Sequence, residues 1–369
     1  MGGEQLRERC KALLEQIAAA PRFAGSSNES RARDLCRSQL EAAGFSCRER
    51  PFAYSRWPAS WGSPVASLVQ LLGTVMLAWI AARHGAATAL LSLGALLSVL
   101  WLASGWVRVH GTGRIPWLRA SATNLEAVRG EPAAWLVAHL DSKSQTVPML
   151  WRIAGTVAAS AVSGAAVIVA LLQLAGVSSV GRMWGAIIGA AAVAALPGII
   201  CFVRDTSNGA VDNASGVVAV VLAAEELSRA LLPVGVLITS AEELGLAGAR
   251  AWTATRSGKA AMMVNCDTVD DNGDWYCMYT GKRPAALDAV VNATALQLGL
   301  KMTTRRLLPG ILADSVAFSD AGLQSVTISR GTVRTLARIH TRGDNSAAMT
   351  AAGAADASRL LAALVREMS

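Results

Sequence analysis

The sequence predicts an α/β fold in which a mixed, mostly parallel central sheet is flanked by helices, with four transmembrane helices inserted as two hairpins. Three observations lead to this prediction. Apolar runs of strand length alternate with helical patterns, four longer apolar runs interrupt that alternation, and isolated acids and histidines stand at strand ends. The chain has 369 residues, which is enough for one large domain or two smaller ones.

The composition is that of a protein partly dissolved in lipid. Hydrophobic residues make up 53% of the chain and charged residues 16%, whereas soluble domains carry about 25% charged residues. The net charge is +8, but no basic helix or aromatic stacking motif accompanies it, so we exclude nucleic acid as a partner. Basic residues that face anionic lipid headgroups explain the positive net charge more simply. The six scattered cysteines favour free thiols in a reducing compartment.

Four apolar runs are long enough to cross a lipid bilayer as helices. They extend over about 64–82, 86–107, 153–174 and 183–203, and each approaches the ~20 residues that a ~30 Å hydrocarbon core requires. Gly185 and Gly189 form a GxxxG motif, which is suited to close helix packing. The alternative is that these runs are buried helices of a large soluble core. Uncharged runs of this length are uncommon there, so we favour membrane spans.

The spans divide the chain into five segments. Residues 63–107 and 151–203 form the two hairpins, and residues 1–62, 108–150 and 204–369 form one discontinuous globular domain. Basic residues concentrate in the three domain segments, while the hairpin tips offer only Arg83 and Arg182. The positive-inside rule therefore predicts a multi-pass protein of the inner or plasma membrane, with the globular domain in the cytoplasm. The predicted spans contain no charged residue, which argues against a transporter.

Outside the hairpins, the predicted elements follow one another as in an α/β fold. Helical periodicity covers 4–20 and 28–44, and strand patterns cover 45–55 and 121–130. The apolar runs AAWLVAHL, PVGVLITS, AAMMVNCDTV and LQSVTISRG predict four further strands. Helices are predicted from about residue 213 to 232, over 284–300 and over 346–368.

Polar residues stand at the ends of these predicted strands or in the loops that follow, where the ligand sites of open α/β sheets collect. The candidates are His139, Asp141, Asp212, Glu242, Glu243, Asp267 and His340. Imidazoles and carboxylates without a thiolate favour Zn, Co or Mn at a catalytic site over a closed structural zinc. Two adjacent acids after an apolar run are costly to bury alone, and a cation would balance them.

Each candidate also has a less specific interpretation. His139 could simply end a strand, with Asp141 in the turn that follows. Asp212 could be the N-cap of the next helix. The adjacent acids Glu242 and Glu243 could point into solvent at the end of a strand.

Neighbouring residues receive simpler assignments. Asp270, Asp271 and Asp274 are expected in a solvated loop, and Asp344 is expected to cap the last helix. Cys266 is a possible soft ligand, although a buried thiol that behaves as a small hydrophobe fits its context better.

The stretches AHLDS, GAVDNASGV, AEELGLAGA, NCDTV, ADSVAF and IHTRGDN resemble the successive motifs of the di-zinc aminopeptidase family. This family includes bacterial leucyl aminopeptidases, aminopeptidase Y and the catalytic domain of glutamate carboxypeptidase II. The resemblance covers most of the globular segments and leaves out both hairpins, which look like insertions. It implies a membrane-anchored zinc exopeptidase, most simply an aminopeptidase, with two zinc ions (Co or Mn as alternatives) and a peptide or amide substrate. Other amide chemistry on the same scaffold, as in carboxypeptidases and glutaminyl cyclases, and an inactive membrane scaffold are the alternatives.

The resemblance also implies a role for each candidate. Asp212 would bridge both metal ions, Glu243 and His340 would complete one site, and His139 and Asp267 the other. Asp141 would orient His139, and Glu242 would be the general base that passes a proton from water to the leaving amine. No residue matches the additional oxyanion-stabilising side chain of the family, and the oligomeric state is not indicated.

The predicted site is close to the lipid along the chain. About eight residues separate Asp212 from Arg204, at the end of the fourth span. At ~3.4 Å per extended residue, the site is expected within about 30 Å of the membrane surface. We therefore expect substrates near the inner leaflet.

Overall fold

The computed structural model describes residues 2–110, 115–256, 261–308 and 311–368, with the side chains of 106–110 left out. The chain divides into two compact units. The first consists of Met1–Arg56, Pro116–Ser144 and Arg204–Ser369, and the second of Trp57–Ile115 and Gln145–Val203. The second unit is therefore made of two insertions into the sequence of the first.

The strands of the described residues form one large sheet and one small pair. In chain order they are β1 (Ser46–Ser55), β2 (Arg119–Arg129), β3 (Ala134–His139), β4 (Ser144–Gln145), β5 (Val203–Arg204), β6 (Val234–Thr239), β7 (Met262–Val269), β8 (Asp274–Tyr279), β9 (Met302–Arg306) and β10 (Gln324–Gly331). The large sheet has the order β1-β2-β6-β3-β7-β10-β8-β9, and β4 pairs with β5.

The centre of the large sheet is parallel. Strands β6, β3, β7 and β10 run in the same direction, while β1 and β2 on one side and β8 on the other introduce antiparallel pairs. All residues of β3 and β6 are buried, as expected for strands covered on both faces. Gly235 lies opposite Trp135 in this pairing, and a Cβ at Gly235 would lie 2.3 Å from the indole ring. Only glycine therefore leaves room for Trp135 in this register.

The helices of the described residues are divided between the two units. In chain order they are α1 (Gly3–Ile17), α2 (Ser27–Ala42), α3 (Trp57–His84), α4 (Ala86–His110), α5 (Met149–Leu174), α6 (Trp184–Ile199), α7 (Ser215–Arg229), α8 (Ala247–Ala254), α9 (Ala285–Gln297), α10 (Asp314–Asp320), α11 (Val333–Arg338) and α12 (Ala352–Met368). Helices α1, α7 and α12 pack together and against the sheet. Helices α8 and α10 contribute to a hydrophobic cluster in which Trp135, Trp252 and Phe318 pack edge to face.

The predicted fold class is confirmed: the chain has a mixed, mostly parallel sheet flanked by helices. Strands β8 and β9 and the short helices α8, α10 and α11 were not predicted. They are brief, and β9 is a polar edge strand, so none carries a periodic apolar pattern. The last helix begins at Ala352 instead of Ser346, because Ser346–Ala348 forms a separate 3₁₀ turn.

Within the second unit, four helices are long and apolar enough to cross a membrane, namely Trp57–His84, Ala86–Gly105, Met149–Leu174 and Ser178–Ile199. Many of their large apolar side chains point outward: Leu91 is 76% exposed, Trp101 67% and Val193 74%. Such a surface is stable in lipid and unfavourable in water. Helix α3, the first of these four, begins at Trp57, about two turns before the predicted start near residue 64.

The small residues that bring these helices together differ from those the motif indicated. Gly185 and Gly189 have open space beside them within the described chain. The close approaches occur instead at Gly155, where a Cβ would lie 3.0 Å from Pro197, and at Gly198, which faces Ser67 of α3.

Candidate metal centre

Two groups of side chains converge at the carboxyl ends of the central strands and share one residue. The first group is His139, Asp212 and Asp267, and the second is Asp212, Glu243 and His340. In each group the candidate ligand atoms lie within 4.8 Å of one another, and all five residues are buried. The structure therefore brings together every metal ligand that was named from the sequence.

Each of these side chains is delivered by a different element. His139 is the last residue of β3, Asp267 lies near the end of β7, and Glu243 follows β6. Asp212 lies in the irregular turn Ala210–Ala214 before α7, where the peptide bond to Asn213 is cis. His340 follows α11 and has a left-handed backbone with φ of +60°.

In the first group, the His139 imidazole faces two carboxylates. Its Nε2 atom lies 3.2 Å from Asp212 Oδ1 and 3.5 Å from Asp267 Oδ1. Its other nitrogen, Nδ1, lies 3.0 Å from the backbone oxygen of Asp141. That contact fixes Nδ1 as the protonated nitrogen and leaves Nε2 free to act as a ligand.

In the second group, His340 Nε2 lies 3.1 Å from Asp212 Oδ2 and 3.0 Å from Glu243 Oε1. Glu243 Oε1 is nevertheless buried without a hydrogen bond, because the geometry of the contact is not that of donor and acceptor. Two ligand atoms that point at the same cation also lie close together without the geometry of a hydrogen bond. Asp212 presents one carboxylate oxygen to each histidine, so it is placed to bridge two ions.

The electrostatics of the cluster fit cations. Burial would lower the pKa of His340, but the charge of Glu243 and the contact with Asp212 raise it to about 9. Burial would raise the pKa of Asp212, yet its hydrogen bonds and charge interactions with both histidines hold that pKa below its usual value. Without an ion, protonated imidazoles thus balance the carboxylates. Zn²⁺ prefers imidazole and carboxylate donors such as these, so the residues present fit a zinc centre.

Glu242 lies at the edge of the first group. Its Oε2 atom is 3.9 Å from His139 Nε2, and the residue is 5% exposed. Burial raises the pKa of Glu242 well above its usual value, and the charges of Glu243, Asp267 and Asp314 add to this effect. A carboxylate with a raised pKa beside the cluster has the properties of a general base. The interpretation of Glu242 and Glu243 as a solvated strand end is wrong.

Asp141 supports the cluster in a way that differs from expectation. Its carboxylate accepts hydrogen bonds from the backbone N–H groups of Glu242, at 3.1 Å, and Glu243, at 3.2 Å. Contact with His139 Nδ1 is made chiefly by the Asp141 backbone oxygen, since the nearer carboxylate oxygen is 3.7 Å away. One residue therefore holds both the imidazole and the loop that carries the two glutamates.

Several acids serve other purposes than predicted. Asp344 does not cap the last helix: its carboxylate accepts hydrogen bonds from the N–H groups of Val211, at 2.7 Å, and Asp212, at 3.1 Å. Asn213, not Asp212, accepts the N–H of Gly216 at the start of α7. Asp270 is buried and accepts the Thr335 hydroxyl, so it is not a solvated loop residue.

The sequence interpretation overlooked three charged residues around the cluster. Lys143 Nζ lies 2.7 Å from Glu243 Oε2 and donates to the Glu243 backbone oxygen at 3.0 Å. Asp314 is fully buried, accepts the Thr239 hydroxyl, and has its pKa raised to about 7 by burial. Arg22 is a buried cation that contacts only backbone oxygens through its guanidinium. The ADSVAF motif drew attention to Asp314, but no local pattern distinguishes Lys143 or Arg22.

Residues 196–365 match the model of Peptidase family M28. The matched residues, just under half of the chain, are therefore similar to peptidase family M28. The match includes Asp212, Glu242, Glu243, Asp267 and His340, whereas His139 and Asp141 precede it. Together with the solved structures of the same fold described below, this match supports the predicted family and the predicted enzyme class, a zinc metallopeptidase. No curated protein matches the sequence.

Solved structures with the same fold cover nearly the whole chain. An aminopeptidase from Aneurinibacillus sp. strain AM-1 is 13% identical, with a TM-score of 0.59 and coverage of 98% of this chain and 93% of that one. A zinc aminopeptidase from Bacillus subtilis is also 13% identical, with a TM-score of 0.58 and coverage of 98% and 95%. A glutaminyl cyclase from Porphyromonas gingivalis is 14% identical, with a TM-score of 0.57 and coverage of 98% of each chain. At this level of identity the likeness concerns the fold.

Proposed function

We propose that this protein is a membrane-anchored zinc aminopeptidase that uses two metal ions to hydrolyse peptide bonds. The observation that carries the proposal is the pair of buried ligand groups that share Asp212. A lone structural zinc would need one closed set of four ligands, whereas two open groups joined by a carboxylate are typical of a co-catalytic centre.

The proposed ligands divide as the two groups do. His139 and Asp267 would hold one ion, Glu243 and His340 would hold the other, and Asp212 would contribute to both sites. When bound, the zinc ions polarise the substrate carbonyl and lower the pKa of water in the site. Lys143 Nζ forms an ion pair with Glu243 Oε2 at 2.7 Å, and this contact leaves the other oxygen, Oε1, directed at His340.

Glu242 is proposed as the general base that transfers a proton from the attacking water to the leaving amine. Its carboxylate lies 3.9 Å from His139 without serving either ligand group, and its raised pKa favours acceptance of a proton from the attacking water. The same carboxyl then donates that proton to the amine that leaves. Asp141 positions Glu242 for this work, because it holds the backbone N–H of that residue.

The mechanism is tested by Glu242→Gln in the full chain. The variant removes the proton acceptor and leaves all five proposed ligands, so it is expected to bind two zinc ions and to lose about 10²- to 10⁴-fold in kcat. Metal content by mass spectrometry and hydrolysis of aminoacyl amides measure both properties. Glu226→Gln, at a half-buried glutamate paired with Arg366 away from the cluster, is the matched control and should retain activity. Full activity in Glu242→Gln would refute the mechanism.

The substrate class is tested with a panel of peptides. An aminopeptidase requires a free amino terminus, so free-amine peptides should be hydrolysed and N-blocked peptides should not. Cleavage of N-blocked peptides at the carboxyl end would favour a carboxypeptidase. Release of ammonia from N-terminal glutamine would favour a glutaminyl cyclase, an activity named for one protein of the same fold.

Membrane anchoring and sidedness are proposed from the four apolar helices and from the distribution of basic residues. Alkaline phosphatase, which is active only outside the cytoplasm, should be inactive when fused after the last residue and active when inserted at Gly85. The opposite pattern would place the catalytic unit on the outer side. Extraction of the protein by alkaline carbonate without detergent would contradict membrane anchoring itself.

A further inference from the structure

The guanidinium of Arg22 is buried beneath the candidate metal centre and donates four hydrogen bonds to backbone carbonyls. Nε donates to Leu140 at 2.8 Å, Nη1 to Ile17 at 3.1 Å and to Asn208 at 2.5 Å, and Nη2 to Gly209 at 3.0 Å. Arg22 is 1% exposed. Burial lowers the pKa of Arg22 to about 10, so the side chain is charged at neutral pH.

These acceptors lie beside proposed ligands in the sequence. Leu140 follows His139 directly, and Gly209 precedes Asp212 by three residues. Asp344 holds the same turn from the other side, since it accepts the N–H groups of Val211 and Asp212. Arg22 therefore fixes the carbonyls and Asp344 fixes the N–H groups of the segment that delivers Asp212.

The backbone around Arg22 also closes the second membrane insertion. Ser142 Oγ accepts the Arg22 N–H at 2.9 Å and donates to the Ser207 carbonyl at 2.9 Å, and the Ser142 N–H donates to the Arg22 carbonyl. Ser144 and Thr206 continue this pairing through their hydroxyls at 2.8 Å. The inserted segment Gln145–Val203 thus leaves and re-enters the first unit at adjacent points. A long insertion raises the entropic cost of holding its two ends together, and these bonds oppose that cost.

Gly209 gives Arg22 the space it needs. It has φ of +56°, and a Cβ at this position would lie 2.4 Å from the Asp212 carbonyl oxygen and 3.2 Å from Arg22 Nη2. The turn can therefore approach Arg22 only with glycine at 209.

We propose that Arg22 is a positioning residue for the metal centre, which holds the His139 strand end and the Asp212 turn together across the membrane insertion. This inference rests on the proposed zinc function. Arg22 contacts no proposed ligand side chain and acts only through backbone carbonyls. A residue that merely stabilised the fold would affect unfolding but would leave the metal affinity of the folded protein unchanged.

The test is Arg22→Lys in the detergent-solubilised full chain. Lysine retains the charge but lacks the planar fork that reaches several carbonyls at once. Zinc affinity, measured by competition with a chromophoric chelator, is expected to fall at least tenfold, and kcat is expected to fall with KM nearly unchanged. Arg33→Lys is the matched control: Arg33 is also buried and near the N-terminus, but it bonds Ser30 and Glu49 away from the cluster. Its zinc affinity should match that of the wild type.

Two further variants keep the proposal testable if Arg22→Lys does not fold. Ser142→Ala removes the bonds that join Arg22 to Ser207, and Gly209→Ala displaces the turn, so both should weaken zinc binding by at least threefold. Folded variants with a lower melting temperature and wild-type zinc affinity would overturn the proposal. A wild-type protein that binds no zinc would instead refute the proposed function.

Discussion

At the scale of single residues, two buried carboxylates that are not proposed ligands hold the backbone segments that carry the proposed ligands and the general base. Asp344 and Asp141 each accept two backbone N–H groups, and those groups belong to Val211 and Asp212 in one case and to Glu242 and Glu243 in the other. A buried N–H that loses its acceptor costs about 1–3 kcal/mol. The arrangement of the proposed ligand side chains therefore depends on acids that are not themselves proposed ligands.

Replacement of Asp344 by alanine should weaken zinc binding. The variant leaves the N–H groups of Val211 and Asp212 without an acceptor, so the turn relaxes and zinc affinity is expected to fall about tenfold, equivalent to 1.4 kcal/mol. Asp271→Ala is the control, because Asp271 also accepts backbone N–H groups, those of Thr350 and Gly353, away from the cluster. Equal zinc affinities in the two variants would contradict this role of Asp344.

Glu29 is a further buried acid in the surroundings of the site. It accepts the Gly25 N–H at 2.7 Å and the hydroxyl of Ser240, which precedes the Glu242 loop. Burial raises the pKa of Glu29 from 4.5 to about 7, and the charge of Asp141 adds to the effect. A carboxyl whose pKa is higher in the folded state stabilises the fold most at low pH. That contribution is lost as the pH rises from about 4.5 through about 7.

Glu29→Gln should therefore make stability less dependent on pH. Glutamine resembles the protonated carboxyl, so the variant should match the wild type near pH 4 and exceed its free energy of unfolding by up to about 3 kcal/mol above pH 7. Melting temperatures recorded between pH 4 and 8 measure the difference. Glu41→Gln, at an exposed position of the same helix, should show no such trend. A constant difference between wild type and Glu29→Gln at every pH would be evidence against the assignment.

At the scale of elements, the long apolar helices are joined by small residues and polar contacts. Gly198 of α6 faces Ser67 of α3, and Ser63 donates to the Gly198 carbonyl at 3.4 Å. Gln70 of α3 donates to Ser163 of α5 at 3.1 Å. In lipid, close backbone approach and such hydrogen bonds replace the hydrophobic effect as the source of helix association.

Gly198→Val should destabilise the helical unit, whereas Gly189→Val should not. The first variant inserts a branched side chain where even a Cβ would collide with Ser67, and overpacking of this kind costs about 1–3 kcal/mol. The second places the same side chain in open space on the same helix. Melting curves in detergent should show a lower midpoint for Gly198→Val alone. Equal losses would indicate that the GxxxG motif is a packing site after all.

At the scale of the whole molecule, the proposed ligands join distant parts of the chain. His139 and His340 belong to segments separated by an insertion, five strands of the large sheet and several helices. Bound ions would therefore cross-link most of the first unit. Anything that binds only the folded state stabilises it, by about 4 kcal/mol when its concentration is 1,000 times its Kd.

Removal of zinc should lower the melting temperature. For a domain of this size about 4 kcal/mol corresponds to roughly 10 °C, so dialysis against EDTA should reduce the midpoint by about that amount and added zinc should restore it. Glu242→Gln keeps the ligands and should show the same shift, while His340→Ala should show a smaller one. Identical melting curves with and without EDTA would count against a cross-linking metal centre.

The site residues were accessible to sequence analysis to an unusual extent, for a definite reason. His139 ends β3, Asp267 lies near the end of β7 and Glu243 follows β6, and the carboxyl ends of these parallel strands meet at one edge of the sheet. Proximity therefore follows from topology alone. Arg22 and Lys143 could not be found this way, because their partners are backbone atoms or single carboxylates brought near only by folding.

The sequence by itself determined the class of fold, the four apolar helices and the set of residues that converge, because periodicity and residue type depend on local chemistry. Only the tertiary structure decided what the neighbouring acids bind: Asp212 faces both histidines, as the resemblance implies, while Asp344 binds the backbone of that turn instead of capping the last helix. An aspartate looks the same in sequence whether its oxygens meet an imidazole or an N–H group. Which one it meets depends on packing between elements far apart in the chain.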